Sequence, residues 1–157
     1  MLILFDLDGT LITSYMDEPA RVFHRWQVLP GRREKLADLL AQGHTLGIVT
    51  NQGGVAMGHI REQDFERKIA SVLAALHLEA QRTPVAVAYG HPASRNPRYR
   101  TPKELARRKP RGGMIRELVA QYPEAAAEGV LFVGDRDQDR DAALDAGVDF
   151  QWAEEYF

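Results

Sequence analysis

Two acidic residues near the start of the chain directly follow an apolar run. Asp6 and Asp8 come after residues 2–5 in the sequence LILFDLDGT. A carboxylate can attack phosphorus and form an aspartyl phosphate. A second carboxylate two residues further on can exchange a proton with a leaving group and with water. Asp6 and Asp8 are therefore candidates for a catalytic pair.

Further polar groups follow apolar segments or precede a helical pattern later in the chain. They are Thr50 and Asn51, Arg108 and Lys109, and Asp135, Arg136 and Asp139. Carboxylates that converge on one point repel one another unless a cation lies between them. Several carboxylate oxygens together form a set of hard ligands that suits Mg²⁺. A hydroxyl and a lysine can hold the equatorial oxygens of a phosphoryl group, where negative charge accumulates during its transfer.

Apolar runs alternate with helical patterns along the chain, which is typical of an α/β fold. We predict strands over residues 2–5, 45–50, 85–89, 130–133 and 150–152. We predict helices over residues 32–42, 62–78, 112–121 and 137–146. Because the strands are apolar throughout, the sequence indicates a mainly parallel sheet that helices cover on both faces.

The predicted fold is a single three-layer α/β/α domain of Rossmann-like type over residues 1–157. A chain of 157 residues fits one domain and buries enough surface to fold without cross-links. Residues 9–30 and 90–108 fit no element, and we interpret them as loops, which at this length usually serve a function. Ligands bind at the carboxyl ends of the strands in such a sheet, so the polar groups are expected to meet at one edge.

The composition excludes several classes of protein and site. The chain has no cysteine, so it has no disulfide, thiol nucleophile or cysteine-ligated metal. No apolar run is long enough to cross a membrane, and the N-terminus lacks the basic start of a signal peptide, so the expected location is the cytoplasm. Residues 95–111, here called the basic segment, hold eight lysines and arginines against one acid. This segment predicts an anionic partner, although a solvated surface is the alternative.

In chain order, the polar groups resemble the motifs of the haloacid dehalogenase (HAD) phosphatase superfamily. The matching sequences are DLDGT at residues 6–10, VTN at residues 49–51, KP at residues 109–110 and GDRDQD at residues 134–139. The resemblance implies that Asp6 is the nucleophile and Asp8 the acid/base. The superfamily's dehalogenases lack a second acid like Asp8, so its presence favours phosphoryl transfer.

The resemblance also assigns residues to the phosphoryl group and to the metal. Thr50 and Lys109 are expected to bind the transferring phosphoryl group. Asn51, Arg108 and Arg136 are further candidates for substrate binding. Mg²⁺ is expected at Asp6, the Leu7 backbone carbonyl, Asp8, Asp135 and Asp139, the last as a direct ligand or in the outer shell.

Details of the motifs resemble subclass III of the superfamily. That subclass includes histidinol-phosphate phosphatases, heptose-bisphosphate phosphatases and the 3′-phosphatase part of polynucleotide kinases. The two loops leave no room for a cap domain, so the enzyme is expected to be capless. In the sugar and histidinol members the second loop commonly binds zinc through cysteines and a histidine. This chain keeps His91 but has no cysteine, so we expect no zinc.

These observations predict a Mg²⁺-dependent phosphomonoesterase that hydrolyses a small phosphorylated or bisphosphorylated metabolite through a phosphoaspartate. A nucleic-acid 3′-phosphatase is the alternative, because a capless site admits a polymer end and the basic segment can follow its backbone. A non-catalytic phosphoacceptor or binding module is the alternative from another class. We expect no membrane partner, and we expect a monomer or a weak dimer.

Overall fold

The computed structural model describes residues 1–17 and 23–157, and its centre is a sheet of five parallel strands. The strands are β1 Leu2–Phe5, β2 Thr45–Asn51, β3 Val85–Ala88, β4 Val130–Gly134 and β5 Asp149–Trp152. Their order in the sheet is β3-β2-β1-β4-β5, and every neighbouring pair is parallel. This strand order places β1, which Asp6 and Asp8 follow, in the middle of the sheet.

Helices cover both faces of the sheet. They are α1 Arg32–Ala41, α2 Glu62–Ala75, α3 Pro102–Arg107, α4 Gly113–Gln121, α5 Pro123–Ala127, α6 Asp137–Ala146 and α7 Ala153–Tyr156. The alternation of side chains along β1 explains the two faces, since Ile3 and Phe5 pack toward α1 and α2. Leu2 and Leu4 pack toward α4 and α6 on the other face. The predicted three-layer α/β/α fold is confirmed.

The stretch 90–108 is more ordered than we predicted. It contains a 3-10 turn, Pro97–Tyr99, and the helix α3. The Thr101 side chain accepts a hydrogen bond from the Glu104 backbone N–H, and Pro102 occupies the first turn, where its missing N–H does not matter. Pro97 and Pro102 thus begin the 3-10 turn and α3 within the predicted loop. The short helices α5 and α7 were also not predicted.

The stretch 9–30 folds over the carboxyl edge of the sheet where the structure describes it. The backbone N–H of Leu29 donates to Leu11 at 3.0 Å, and Thr13 donates to Gln27 at 2.9 Å. Residues 18–22 of this predicted loop lie outside the described residues. Within the described ranges no second domain covers the sheet, in agreement with the capless prediction. No helix in those ranges combines the length and the apolar character needed to cross a membrane.

Candidate active site

A cavity of about 330 Å³ lies at the carboxyl edge of the sheet. Seven of the candidate residues line it: Asp6, Asp8, Thr50, Asn51, Arg108, Lys109 and Arg136. They come from the ends of β1 and β2, from the segment between α3 and α4, and from the turn after β4. The parallel topology thus brings together residues that are more than 100 positions apart in the chain.

A buried lysine joins two of the carboxylates. The Lys109 side chain is 1% exposed, and its Nζ donates to Asp6 Oδ1 at 2.7 Å and to Asp139 Oδ1 at 2.6 Å. A third hydrogen bond runs to the Val49 carbonyl at 3.3 Å. Lys109 is therefore fixed beside Asp6, where a transferring phosphoryl group would also come within its reach.

Asn51 positions this lysine through its backbone. The Asn51 Nδ2 donates to the Lys109 carbonyl, and the Lys109 N–H donates to Asn51 Oδ1, both at 3.0 Å. Both polar ends of the Asn51 side chain are therefore engaged. This geometry gives Asn51 an anchoring role for Lys109, while its side chain also lines the cavity and the predicted contact with the substrate stays a prediction.

Three carboxylates form a cluster that could hold a metal ion. Oxygen atoms of Asp6, Asp135 and Asp139 all lie within 4.8 Å of one another. The Thr10 hydroxyl lies 3.2 Å from Asp6 Oδ2 and 3.3 Å from Asp135 Oδ1, and its single proton cannot serve both at once. Lys109 bonds to Asp6 and Asp139, and Arg136 lies 3.9 Å from Asp135, so among the described residues the three carboxylates still outnumber the cations beside them, which suits a divalent cation. The hard oxygen donors fit Mg²⁺.

Two members of the expected metal set do not face this cluster. The Leu7 carbonyl accepts hydrogen bonds from the backbone N–H groups of Thr10, Leu11 and Ile12, so it is committed to the turn after β1. The Asp8 carboxylate turns toward Gln52, whose Nε2 donates to Asp8 Oδ2 at 3.0 Å. The geometry therefore does not support the Leu7 carbonyl or the Asp8 carboxylate as metal ligands.

Asp139 is committed to protein partners through both oxygens. Its Oδ1 binds Lys109, and its Oδ2 accepts from the backbone N–H groups of Asp135 and Arg136 at 3.2 and 3.1 Å. These backbone bonds also cap the start of α6. Of the two roles left open for Asp139, the outer shell fits better.

Burial governs the titration of the candidate nucleophile. It raises the pKa of Asp6 from 3.8 to about 6, and the negative charge of Asp135 adds to the rise. Lys109 opposes this effect. Burial likewise raises the pKa of Asp139, again against the effect of Lys109. The charged form of Asp6 thus depends on the cations around it.

Gly9 allows the turn after β1 to approach Asp135. Its φ of +85° lies in the left-handed region, and a Cβ at this position would collide with the Asp135 carboxylate. The glycine of the DLDGT sequence therefore permits the close packing of the first and last motifs.

The three neighbouring basic residues before α4 have different roles. Arg107 pairs with Glu117 of α4 at 2.7 Å and donates to the Val87 carbonyl. Arg108 is half-buried, lines the cavity and donates to the Gly90 carbonyl at 3.1 Å. Burial lowers the pKa of Arg108. Of the three, Arg108 and Lys109 face the cavity.

Arg136 and Thr50 also line the cavity, but they differ in burial. The Arg136 side chain is about half exposed, and its Nε lies 3.9 Å from Asp135 Oδ2, which leaves it available to a substrate. Thr50 is buried, and its hydroxyl accepts from Gln52 Nε2 at 3.0 Å. Gln52 thus connects Thr50 with Asp8.

The basic segment is only partly neutralised. Arg98 lies 3.5 Å from Glu62 of α2, and the Tyr99 hydroxyl donates to the same carboxylate at 2.9 Å. Arg95, Arg100 and Lys103 are exposed and form no ion pair with any described residue. These three side chains leave a positive surface on α3 and the segment before it.

Two residues at this site, Gln52 and Lys68, were not predicted from the sequence. Gln52 directly follows the VTN motif, and its amide donates to Asp8 Oδ2. Lys68 of α2 lies 3.8 Å from Asp8 Oδ1 with a side chain that is 2% exposed. A signal was present, because a lysine three residues after Phe65 and four before Val72 falls on the apolar face of the helix.

Comparisons with known proteins agree with this geometry. The family model described as polynucleotide kinase 3 phosphatase matches residues 1–157. D-glycero-beta-D-manno-heptose-1,7-bisphosphate 7-phosphatase of Pseudomonas putida is 30% identical over 148 residues, which cover 94% of this chain and 78% of the relative. The protein of the same name from Rhodopseudomonas palustris is 31% identical over 144 residues, covering 91% and 77%.

A solved structure shares both the fold and part of the sequence. It is D,D-heptose 1.7-bisphosphate phosphatase from B. bronchiseptica, complexed with magnesium and phosphate, with a TM-score of 0.70 and 27% identity. The match covers 95% of this chain and 78% of that one. These comparisons confirm the superfamily that the motifs indicated. The chain belongs to the polynucleotide kinase 3 phosphatase family, and it is a phosphatase of the haloacid dehalogenase superfamily.

Proposed function

We propose that this phosphatase hydrolyses a phosphomonoester in a Mg²⁺-dependent reaction, through a phosphoaspartate on Asp6. The observation that carries the proposal is the position of Asp6. It is buried at the floor of the cavity, bonded to Lys109, clustered with Asp135 and Asp139, and two residues from Asp8. This arrangement provides a nucleophile, cations for the phosphoryl oxygens and an acid/base at one place.

In the first half of the reaction, a carboxylate oxygen of Asp6 bonds to phosphorus and the bond to the leaving oxygen breaks. Protonated Asp8 gives its proton to that oxygen, so the leaving group departs as an alcohol. Lys109 and Thr50 lie where they can hold the phosphoryl oxygens. Mg²⁺, when bound at the cluster, supplies positive charge for the carboxylates and the phosphoryl group.

In the second half, water attacks the phosphorus of the phosphoaspartate. Asp8, now a carboxylate, takes a proton from that water. The bond between phosphorus and the Asp6 oxygen breaks, which releases inorganic phosphate and restores both aspartates. Gln52 holds Asp8 at the mouth of the cavity during both halves, because its amide donates to Asp8 Oδ2.

We propose a small bisphosphorylated sugar as the substrate. The relatives named as heptose-1,7-bisphosphate 7-phosphatases support this class. The cavity also offers positive charge beyond the reacting centre, since Arg108 and Arg136 line it. These side chains could hold the phosphate that is not transferred.

A nucleic-acid 3′-phosphate is the second candidate, and the rim of the cavity favours it. Met16 and Met57 line the cavity and are 46% and 44% exposed. Exposed methionines provide an adaptable apolar surface that suits a nucleobase better than a polyhydroxylated sugar. The free cations Arg95, Arg100 and Lys103 would then be available for the polymer backbone, and the matching family model is described as a 3 phosphatase of polynucleotide kinase.

A substrate panel tests these proposals. It contains p-nitrophenyl phosphate, a heptose 1,7-bisphosphate, its 1-monophosphate and a 3′-phosphorylated oligonucleotide, with the 5′-phosphorylated oligonucleotide as the matched control. The bisphosphate proposal expects kcat/KM to be highest for the bisphosphate. A preference for the 3′-phosphorylated end, together with a steep loss of affinity in salt, would replace it by the second candidate. Absence of Mg²⁺-dependent turnover on every compound would contradict the proposed reaction.

A further inference from the structure

A lysine occupies the apolar face of α2 next to the active site. Lys68 follows Phe65 by three residues and precedes Val72 by four, and both of those side chains are buried in the core. Removing a charged side chain from water is costly unless other charges or dipoles compensate for it. The place of Lys68 in this helix therefore calls for an explanation beyond packing.

The surroundings of its ammonium group provide that explanation. Lys68 Nζ lies 3.8 Å from Asp8 Oδ1 and 4.1 Å from the centre of the Phe23 ring, which attracts a cation through its π face. On the other side of the carboxylate, Gln52 Nε2 donates to Asp8 Oδ2 at 3.0 Å. The two oxygens of Asp8 thus face two different groups, the ammonium of Lys68 from α2 and the neutral amide of Gln52 from the end of β2.

We propose that Lys68 is a positioning residue that, together with Gln52, holds the Asp8 carboxyl group in the orientation for proton transfer to the leaving oxygen. This role rests on the proposed function, in which Asp8 is the acid/base. Lys68 acts through Asp8, because its side chain is only 2% exposed and lines a neighbouring cavity rather than the catalytic one. Misorientation of Asp8 should therefore affect proton transfer more than binding of the phosphoryl group.

The test compares two substrates that differ in their need for a proton. Phenyl phosphate releases a phenol with a pKa of about 10, similar to that of tyrosine, so its departure depends on protonation. p-Nitrophenyl phosphate releases a more stable anion and needs less help. The measured quantity is the ratio of kcat/KM for phenyl phosphate to that for p-nitrophenyl phosphate, because kcat/KM covers the steps up to departure of the leaving group.

Lys68→Met keeps the length and the apolar stem of the side chain but removes the charge. We expect it to lower the ratio about tenfold, which is modest beside the 10²–10⁴-fold that a general acid contributes. Lys68→Arg retains the charge and should stay closer to the wild-type ratio. Arg67→Met is the matched control, since Arg67 is the exposed neighbour on the same helix and pairs with Asp64. It should leave the ratio unchanged.

The ratio does not depend on the fraction of folded enzyme, because both substrates are measured on one preparation. If Lys68→Met gives no folded protein, Lys68→Gln is measured in the same way. An equal fall for both substrates would mean that Lys68 only supports the structure, and an unchanged ratio would mean that it does not act on Asp8; either result overturns the inference. If the wild-type enzyme hydrolyses neither substrate, the proposed function itself fails.

Discussion

Replacing Lys109 by methionine tests the buried charge arrangement at the centre of the site. Lys109 Nζ contacts Asp6 and Asp139 at 2.7 and 2.6 Å, and it is almost completely shielded from water. Removing one partner of a buried ion pair costs about 3–5 kcal/mol, because the remaining charge is left uncompensated. Here two carboxylates would be left, so we expect a loss of at least that size in the free energy of unfolding near neutral pH.

The loss should depend on pH in a definite direction. Lys109 lowers the pKa of Asp6, which burial raises to about 6, so the variant should have a still higher pKa at this residue. A carboxyl group with a raised pKa binds a proton in the folded protein that the unfolded chain releases above a pH of about 4. Stability therefore falls as the pH rises toward the folded pKa. In the variant this fall extends to higher pH. The difference in free energy of unfolding between wild type and variant should therefore be smaller at about pH 5 than at about pH 8.

Urea unfolding followed by circular dichroism, in EDTA at both pH values, measures this difference. Lys103→Met is the matched control, because Lys103 is an exposed lysine of α3, and its effect should stay within about 0.5 kcal/mol. If Lys109→Met unfolds within about 1 kcal/mol of the wild type at the higher pH, the lysine does not compensate the two carboxylates. A loss of unfolding free energy that is larger at the lower pH would contradict the raised pKa of Asp6.

Two further predictions concern the metal and the basic segment. Activity should require Mg²⁺ and disappear in EDTA while the circular dichroism spectrum persists, and Asp135→Ala should raise the Mg²⁺ concentration needed for half-maximal rate; an unchanged requirement would remove Asp135 from the metal site. Replacing Arg95, Arg98 and Arg100 by glutamine should raise KM for the physiological, larger substrate and leave p-nitrophenyl phosphate turnover nearly unchanged, because only remote contacts are lost. For a nucleic-acid substrate the salt slope should also decrease by about 0.7 per lost phosphate contact, and an equal response of all substrates would identify the segment as a solvated surface.

The order of the elements could be predicted because β1, β3 and β4 are apolar runs and β2 has an apolar centre, whereas β5 alternates polar and apolar residues. β1 and β4 lie in the middle of the sheet and are apolar on both faces, so the sequence shows them without ambiguity. The parallel arrangement then implies that residues after these strands meet at one edge. The sequence alone therefore predicts that Asp6, Thr50 and Asp135 lie close together.

The direction of individual side chains could not be predicted. Arg107, Arg108 and Lys109 are adjacent and chemically similar, and local sequence does not show that Arg107 pairs with Glu117 while Lys109 enters the core. The same holds for Asn51, whose amide binds backbone 58 residues further along the chain. Such contacts depend on how distant segments pack, and no local pattern encodes them.

Direct detection of the phosphoenzyme tests the central claim of this account. Wild-type enzyme and Asp6→Asn are mixed with p-nitrophenyl phosphate and Mg²⁺, quenched with acid in the first turnover, and analysed by mass spectrometry of the intact protein and its peptides. We expect one phosphoryl group on the peptide that contains Asp6 in the wild type. We expect none in Asp6→Asn, with no detectable turnover. If Asp6→Asn retains more than about a tenth of the wild-type rate, the Asp6 carboxylate lowers the activation free energy by less than about 1.4 kcal/mol. That result would contradict covalent catalysis by Asp6.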